Sequence, residues 1–440
     1  MRVHRSPFCA WPEWYIKRRR SIVIFSLSAS LALSVHLLFI RLVPTSLPAS
    51  HSADFRTYYG PLAARLAVGE GFYLRSGKPA VRYPPGIPFI YAATFWTSDK
   101  LGISRAVGMR LLQGILVAAA AVLVAAISIM IFPARLALLT SLLWSTYPLQ
   151  LWLTQQPSGM NAFSVLLLLS VWLFLRWSRQ GSYPVLYGTA VGASLAVTSL
   201  VKPFAIALPA VFAVLAWLCD VPSPRRKRAV FSAGVLLMYI IIISPWEFWA
   251  WQATGQWLPL CKGGAPAMVD GLSFGLARRG ASELPLPKDV LSVAKDVAKH
   301  ANQFTSSKRV VQFMRVEARE KPMAVFHLFL IKAIRSWYGN DSHTHEKWIV
   351  LIQLLYLPMV LLGGRLAWDS EIRRRNFLLV AATVTLYYWA MTTLVALAIV
   401  RYMLPASALL LILAGIGVEA FAEQCWIVFS VKTRFAPRHD

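Results

Sequence analysis

The stretch KRRRSIVIFSLSASLALSVHLLFIRLV, residues 17 to 43, decides the fold class of this chain. Its basic start precedes a long apolar run, and about 20 apolar residues suffice to cross a bilayer as a helix. The run is too long for the apolar part of a typical signal peptide. We therefore expect an uncleaved membrane anchor whose basic end lies in the cytoplasm.

Apolar runs of the same kind recur along the rest of the 440 residues, of which 57% are hydrophobic. The mean hydropathy is +0.55, and this hydrophobic share exceeds that of a typical soluble domain. We predict an all-α membrane protein: a polytopic helical bundle of about ten spans, with two long outer loops that carry interfacial helices. The predicted spans lie near residues 21–43, 106–131, 134–153, 160–177, 183–201, 203–219, 229–248, 347–363, 376–398 and 403–422.

The short basic loops fix one orientation of this bundle. Lysine and arginine cluster at 17–20, 176–179, 225–228 and 373–375, and cytoplasmic loops carry such an excess. All of these clusters agree with one threading, which places both termini inside and both long segments outside. The resulting divisions are a cytoplasmic N-terminus (1–20), a first span (21–43), an outer loop with a candidate catalytic Asp (44–105), a transmembrane bundle (106–248), a large outer loop with amphipathic helices (249–346), C-terminal spans (347–422) and a cytoplasmic tail (423–440).

The charge and cysteine content exclude several classes of protein. The net charge is +26, but the basic residues fall largely at the ends of apolar runs, which indicates topology rather than nucleic-acid binding. We therefore expect no nucleic-acid partner, and the lipid bilayer as the surroundings. The four cysteines are scattered without a CxxC pair, so neither a disulfide framework nor a metal cluster is predicted.

Acidic residues are scarce, so Asp54 in HSADFRTYYG (residues 51–60), just after the first span, needs an explanation. The threading brings other polar side chains, distant in sequence, to the same outer boundary. Their convergence is what a site between helix ends requires. These side chains are Tyr58, Tyr59, Arg82, Tyr83, Gln155, Gln156, Lys202, Trp246, Glu247, Arg401 and Tyr402.

Such a set suits glycosyl transfer from a lipid phosphate donor. Asp54 is the candidate catalytic base, because a carboxylate can accept the proton of an attacking hydroxyl. Cations stabilise the phosphate that leaves, and the candidates for this role are Arg82, Lys202 and Arg401. The candidates for binding the sugar or the acceptor are Tyr58, Tyr59, Tyr83, Gln156 and Trp246.

Each charged candidate also has a structural explanation. Asp54 is a favoured residue for capping a helix over 55–68, and one carboxylate can cap and catalyse. Arg82 and Lys202 are equally well explained as interfacial anchors of the membrane boundary. Arg401 lies deeper against apolar sequence, where a charge is costly, and this favours a functional role.

Several motifs resemble those of the GT-C superfamily of polytopic glycosyltransferases. Asp54 with the later GEG (69–71) and YPPG (83–86) resembles their first outer loop. The likeness is greatest to the branch of protein O-mannosyltransferases and lipid A aminoarabinose transferases. Further matches are SLVKP (199–203), PW (245–246), FMRVEAREKPMAVFHLFLIKAIRSWYG (313–339) and RYMLP (401–405).

This resemblance implies an inverting glycosyltransferase of GT-C fold that uses a polyprenyl-phosphate sugar donor on the outer face. The implied acceptor is a hydroxyl of a glycan, glycolipid or protein, and the implied location is the bacterial cytoplasmic membrane with an outward-facing site. Many members carry Asp-Glu in the first loop, whereas here Phe55 follows Asp54, and several carry Lys-Pro-Pro where this chain has Tyr83-Pro84-Pro85. Because carboxylates are few, we expect no cofactor and do not favour a divalent metal.

Two other classes of protein compete with the enzyme. A lipid or sugar transporter would place polar sites near the bilayer midplane on broken helices, and few charges fall in mid-span here. A non-catalytic membrane assembly subunit would tolerate the loss of Asp54. We favour the glycosyltransferase, because the candidate residues cluster at one boundary.

Overall fold

The computed structural model describes residues 13–43, 53–277, 284–340 and 345–434. These residues form seventeen α-helices, and the β pairing among them is limited to an isolated bridge between Tyr73 and Pro79. The all-α class predicted from the apolar runs is confirmed.

Eight of the described helices contain a stretch long and apolar enough to cross a membrane, so the chain is a polytopic membrane protein. These helices are α1 (Glu13–Leu42), α4 (Arg105–Ile131), α7 (Met160–Gln180), α8 (Pro184–Val201), α10 (Arg225–Thr254), α15 (Glu346–Trp368), α16 (Ile372–Leu394) and α17 (Leu404–Arg434). The other helices are α2 (Gly60–Ala67), α3 (Gly86–Lys100), α5 (Ala134–Thr146), α6 (Pro148–Thr154), α9 (Leu208–Leu218), α11 (Gly264–Leu272), α12 (Lys288–Lys299), α13 (Ser307–Glu320) and α14 (Pro322–Arg335).

Two of the predicted spans differ from the structure. The segment 134–153 is divided into α5 and α6, because Tyr147 is extended at ψ 116° and Pro148 has no N–H with which to continue the helix. The segment 203–219 begins with a 3-10 turn at Pro203–Ala205 before α9. The described residues therefore contain eight long apolar helices rather than about ten.

Glycines bring the spanning helices into close contact. α8 meets α10 at Gly188 and Gly192, where a Cβ atom would collide with the carbonyl oxygens of Phe231 and Val235. Within a bilayer, such small residues let helix backbones approach and gain dispersion contacts. These positions therefore define the line along which α8 and α10 cross.

The two ends of the bundle differ in charge. Arg179 at the end of α7, Arg225 at the start of α10 and Arg373 at the start of α16 share one end, which we call the basic end. The described parts of the two long segments, 44–105 and 249–346, lie between helix ends at the opposite end, which we call the site end. Which of the two ends faces the cytoplasm stays a prediction.

In the described part of the first long segment, a helical turn of π type, Phe55–Tyr59, leads into α2. The N–H of Gly60 donates to the carbonyl of Phe55, five residues earlier, and such wide turns often occur at functional sites. The segment then turns back through residues 72–85 and enters α3.

The second long segment packs α11 to α14 around a small apolar core of its own. The residues at its centre include Val293, Val297, Val310 and Leu328, which are fully buried. The amphipathic pattern of the sequence predicts helix near residues 289–320. The structure divides this stretch into α12 and α13, with a 3-10 turn at Ala301–Gln303 in the connection between them.

Candidate active site

Asp54 lies at the start of the π turn, and its carboxylate is held by Tyr83. The hydroxyl of Tyr83 donates to Oδ1 of Asp54 over 2.8 Å. The Asp54 side chain makes no capping hydrogen bond, and its backbone is already helical at φ −62°, whereas a capping residue is typically extended. The geometry therefore gives no support to the alternative role as a helix cap.

Three tyrosines form one cluster behind this carboxylate. The ring centroids of Tyr59 and Tyr83 are 5.3 Å apart, and Tyr58 meets both rings edge-on. Tyr58 is buried; its hydroxyl donates to the carbonyl of Ala80 and accepts from the N–H of Tyr83. Tyr58 thus holds the loop that carries Tyr83.

The ionisation of these phenols follows from their burial. Burial, followed by the nearby charge of Asp54, raises the pKa of both Tyr59 and Tyr83. Both phenols therefore keep their protons at neutral pH. Tyr83 is the donor in its hydrogen bond to Asp54, and the carboxylate is the acceptor.

Lys202 reaches the same cluster from the end of α8. The chain is extended at Lys202 because Pro203 follows, and this turns the side chain out of the helix. Its Nζ donates to the Tyr59 hydroxyl over 3.3 Å and lies 5.3 Å from the centroid of the Tyr59 ring. The carboxylate of Asp54 and the ammonium of Lys202 are thus linked through two adjacent tyrosines.

The charge of Lys202 is sensitive to its surroundings. Burial lowers the pKa of Lys202 to about 8; the Asp54 carboxylate acts to raise this pKa and the Arg401 guanidinium to lower it. These electrostatic effects place Asp54, Lys202 and Arg401 within one charged group. At pH 7 the ammonium is still the main form.

The other two candidate cations differ in their positions. Arg401 lies in the 3-10 turn Val400–Tyr402, which is fixed to the second long segment because the Val400 N–H donates to the carbonyl of Gly339 over 2.8 Å. Arg82 is exposed, and its Cζ lies 5.1 Å from the centroid of the Tyr83 ring. Arg401 therefore belongs to the charged group, and Arg82 lies at its rim.

The loop that carries Tyr83 is supported by a hydrogen-bonded anchor on Leu260. The indole Nε1 of Trp246 donates to the Leu260 carbonyl over 2.7 Å, and Glu247 Oε1 accepts from the Leu260 N–H over 2.5 Å. Leu260 has φ 61°, an uncommon value for a residue other than glycine. Two residues later, the Lys262 N–H donates to the Val81 carbonyl over 2.8 Å. Trp246 and Glu247 thereby fix the backbone next to Tyr83.

An apolar cavity of about 520 Å³ lies beside the polar cluster. Its walls come from α3, α8 and α10, and they include Val201, the neighbour of Lys202, and Pro85, two residues after Tyr83. Phe72, Trp246 and Trp249 form an aromatic wall, in which the two indoles stack with centroids 5.0 Å apart. A charged group and an apolar cavity therefore adjoin each other at the site end.

The structure does not place every candidate in the tyrosine cluster. Trp246 lies on the cavity side, and Gln156 lies half-buried in the turn between α6 and α7. Gln156 has no side-chain hydrogen bond within the described residues. Gly159 of the same turn packs against Ile87, so this turn adjoins the first long segment.

The sequence assigned no role to several other contributors, although it places Glu247 at the same boundary. Glu247 acts through the backbone of Leu260, and nothing in the sequence marks Leu260 as a residue of positive φ. A signal did exist for Trp249, because Trp246 and Trp249 are three residues apart and so share one helix face. Phe72 carried no comparable signal, since only the return of the chain over residues 72–85 brings it to α10.

The described residues offer no donor set suited to a divalent metal. No group of three or more His, Cys, Asp or Glu side chains comes together in the described ranges. The polar groups around Asp54 include Tyr83 and, through Tyr59, the Lys202 ammonium, whose positive charge opposes a bound cation.

The fold and the site define a polytopic helical membrane protein with a charged group at one end of its bundle. No protein-family model and no curated protein matches the chain. Solved structures of the oligosaccharyltransferase AglB from Archaeoglobus fulgidus share its fold. The structure in complex with an inhibitory peptide and a dolichol-phosphate is 11% identical, with a TM-score of 0.56 over 97% of this chain and 53% of that one.

Two further structures of the Archaeoglobus fulgidus enzyme agree. The complex with Zn and sulfate has a TM-score of 0.55 at 12% identity, over 94% of this chain and 51% of that one. The form tethered by a disulfide bond to an acceptor peptide containing the NVT sequon has a TM-score of 0.56 at 13% identity, over the same shares of both chains. This chain spans about half the length of these proteins, so the likeness is one of fold. The narrower likeness to O-mannosyltransferases and aminoarabinose transferases stays a prediction.

Proposed function

We propose that this protein is a glycosyltransferase that moves a sugar from a polyprenyl-phosphate donor to an acceptor hydroxyl at the site end of the bundle. One observation carries the proposal: the Asp54 carboxylate and the Lys202 ammonium meet through Tyr59 and Tyr83, beside an apolar cavity. A base, a cation and an apolar surface are the three features that transfer from a lipid phosphate requires. The fold shared with AglB, whose structure was solved with a dolichol-phosphate, supports the same class of donor.

In the proposed step, the acceptor oxygen bonds to the anomeric carbon as the bond from that carbon to the phosphate oxygen breaks. Asp54 takes the proton of the acceptor hydroxyl, and the electron pair of the broken bond leaves with the polyprenyl phosphate. Attack from the face opposite the phosphate inverts the anomeric configuration. Tyr83 holds Oδ1 of Asp54, and Oδ2 is the oxygen that faces the acceptor.

Lys202 and Arg401 stabilise the charge that grows on the phosphate, and Arg82 approaches it from the rim. The first isoprene units occupy the apolar cavity, where Trp246 and Trp249 contact them. Tyr59 contacts the sugar, and Gln156 contacts the acceptor. The reaction takes place on the outer face of a bacterial cytoplasmic membrane and uses no metal.

The experiment that tests this proposal compares Asp54→Asn with the wild type. Membranes that contain each protein are incubated with a panel of labelled polyprenyl-phosphate sugars, with EDTA present, and transfer to endogenous acceptors is measured. We expect the wild type to transfer label from at least one donor. Asp54→Asn should accumulate normally and bind that donor, but transfer the sugar at least ~100-fold more slowly.

Asparagine keeps the size of the side chain and can still accept the hydrogen bond from Tyr83, so a loss of transfer isolates the role of the base. Tyr83→Phe is the matched control: it keeps the carboxylate and removes the hydroxyl that orients it, and should be less impaired than Asp54→Asn. A fully active Asp54→Asn variant would remove Asp54 from the mechanism. The absence of transfer from every donor in the wild type would refute the function itself.

A further inference from the structure

A second cavity, of about 190 Å³, lies at the basic end, at the opposite end of the bundle from Asp54. It is enclosed by the ends of α4 and α7, the start of α16 and the segment 219–223 that connects α9 with α10. α16 separates the two sites: Arg373 is in its first turn, and Arg401 follows its last turn. At about 1.5 Å per residue, its 23 residues span roughly 35 Å, so the two cavities lie at opposite ends of the bundle.

Three charged side chains line this cavity without pairing with one another. Arg179 comes from α7, Arg373 from α16, and Asp220 from the connecting segment. Within the described residues, none of the three has an oppositely charged side-chain atom within 4.0 Å. Two guanidinium groups and one carboxylate, all on exposed residues, therefore line one cavity without an ion pair to another described side chain.

The carboxylate is carried by a rigid backbone. Asn376, itself buried, accepts from the Asp220 N–H over 3.0 Å and donates to the Asp220 carbonyl over 2.8 Å. Arg228 donates to the carbonyl of Val221 over 2.7 Å. The backbone that carries the Asp220 carboxylate is thus fixed before any ligand binds, which lowers the entropic cost of binding.

The remaining walls are mostly apolar and belong to membrane-spanning helices. Met130 of α4 and Leu175 of α7 contribute on one side, and Ile372 of α16 on another. The cavity is smaller than the roughly 300–1,000 Å³ of pockets that enclose a drug-sized ligand. Its size therefore suits a headgroup whose acyl chains stay in the bilayer.

We propose that this cavity binds the phosphoethanolamine headgroup of a membrane phospholipid. The phosphate lies between Arg179 and Arg373, because guanidinium groups grip phosphate oxygens through paired hydrogen bonds. The primary ammonium lies on Asp220. A ligand that carries both charges satisfies all three side chains, and basic pockets between membrane helices commonly bind lipid headgroups.

The test uses the purified, full-length protein in detergent. Phosphatidylethanolamine, phosphatidylglycerol and phosphatidylcholine are added separately, with free phosphoethanolamine and inorganic phosphate as water-soluble arms, and bound ligand is counted by native mass spectrometry. We expect phosphatidylethanolamine to bind about tenfold more tightly than phosphatidylcholine, whose quaternary ammonium has no N–H to donate to Asp220.

Two variants assign the site. Arg179→Gln with Arg373→Gln should weaken binding at least ~10-fold, and Asp220→Asn should remove the preference over phosphatidylglycerol. The matched control, Arg225→Gln with Arg226→Gln, removes the same charge from exposed residues at the same end and should leave lipid binding unchanged.

Equal binding of all three lipids, or unchanged binding in the double Arg179/Arg373 variant, would overturn the proposal. So would tighter binding of inorganic phosphate than of the lipid. This site is independent of the proposed transfer reaction.

Discussion

At the scale of single residues, Lys202 is a candidate-site group whose charge changes within the range of ordinary buffers. Its pKa is lowered by burial to about 8, so the ammonium prevails at pH 7 and is lost as the pH rises through that value. If the ammonium binds the donor phosphate, transfer must fall over the same range. A profile of kcat/KM against pH should show a basic limb near pH 8, because this parameter reports the free enzyme.

Lys202→Arg is the control for that profile. A guanidinium stays charged at every pH of the assay, so the basic limb should disappear even if the rate at neutral pH is lower. Lys202→Met should transfer the sugar slowly at every pH of the profile. The same limb in Lys202→Arg as in the wild type would assign the titration to another group.

Asp54 and Lys202 could be found in the sequence because charges are scarce there and both lie at predicted helix ends. Their proximity to Tyr59 and Tyr83 could be expected only as a shared boundary, not as a set of contacts. The position of Tyr58 depends on the carbonyl of Ala80, which is 22 residues away in the chain. Such a contact is set by how a loop folds back, and no local pattern encodes it.

At the scale of structural elements, the anchor on Leu260 connects α10 to the loop that carries Tyr83. Glu247→Ala leaves the buried N–H of Leu260 without an acceptor, which should cost about 1–3 kcal/mol of stability. Because that loop positions Tyr83 and hence Asp54, kcat should also fall. Glu247→Gln retains an oxygen that accepts the hydrogen bond, and should restore most of both properties. Unfolding midpoints and initial rates measure the two effects separately.

A double-mutant cycle distinguishes positioning from general damage. If Glu247 acts through Asp54, Glu247→Ala should slow the wild type several-fold but have little further effect in an Asp54→Asn background. Additive losses in the two backgrounds would mean that Glu247 serves the fold and not the site.

The helices themselves were largely predictable, because long apolar runs bounded by basic residues leave few alternatives in a bilayer. The break at Pro148 was missed because the apolar run continues through it. Hydropathy is averaged over many residues, so one proline hardly changes the average. The division between α12 and α13 was missed for the opposite reason, since amphipathic periodicity on both sides of residues 300–306 hides a short connection. In both cases the helix boundary is set by local backbone geometry, which composition does not reveal.

At the scale of the whole molecule, the sequence predicted which side chains lie at the same end of the helical bundle. The connectivity of the described helices agrees with this grouping. Arg179, Arg225 and Arg373 lie at one end, and Asp54, Lys202 and Arg401 at the other. The sequence could not show that the basic end has a cavity of its own. A basic loop that only sets topology and one that also binds a headgroup have the same composition. The difference is the backbone at residues 220–221, which Asn376 and Arg228 hold against the cavity.

The orientation of the whole bundle is the last prediction, since every functional role above assumes that the site end faces outward. Native Cys261 is half-buried, so the better reporters are single cysteines introduced at exposed positions of a variant without the four native cysteines. Lys299→Cys on α12 should react with an impermeant maleimide added to intact cells, because the second long segment lies outside. Lys227→Cys at the start of α10 should react only after permeabilisation, and both should label equally in denatured membranes. The reverse pattern would place Asp54 on the cytoplasmic side, so the acceptor hydroxyls would have to be cytoplasmic. It would also mean that the positive-inside bias fails at every basic loop of this chain.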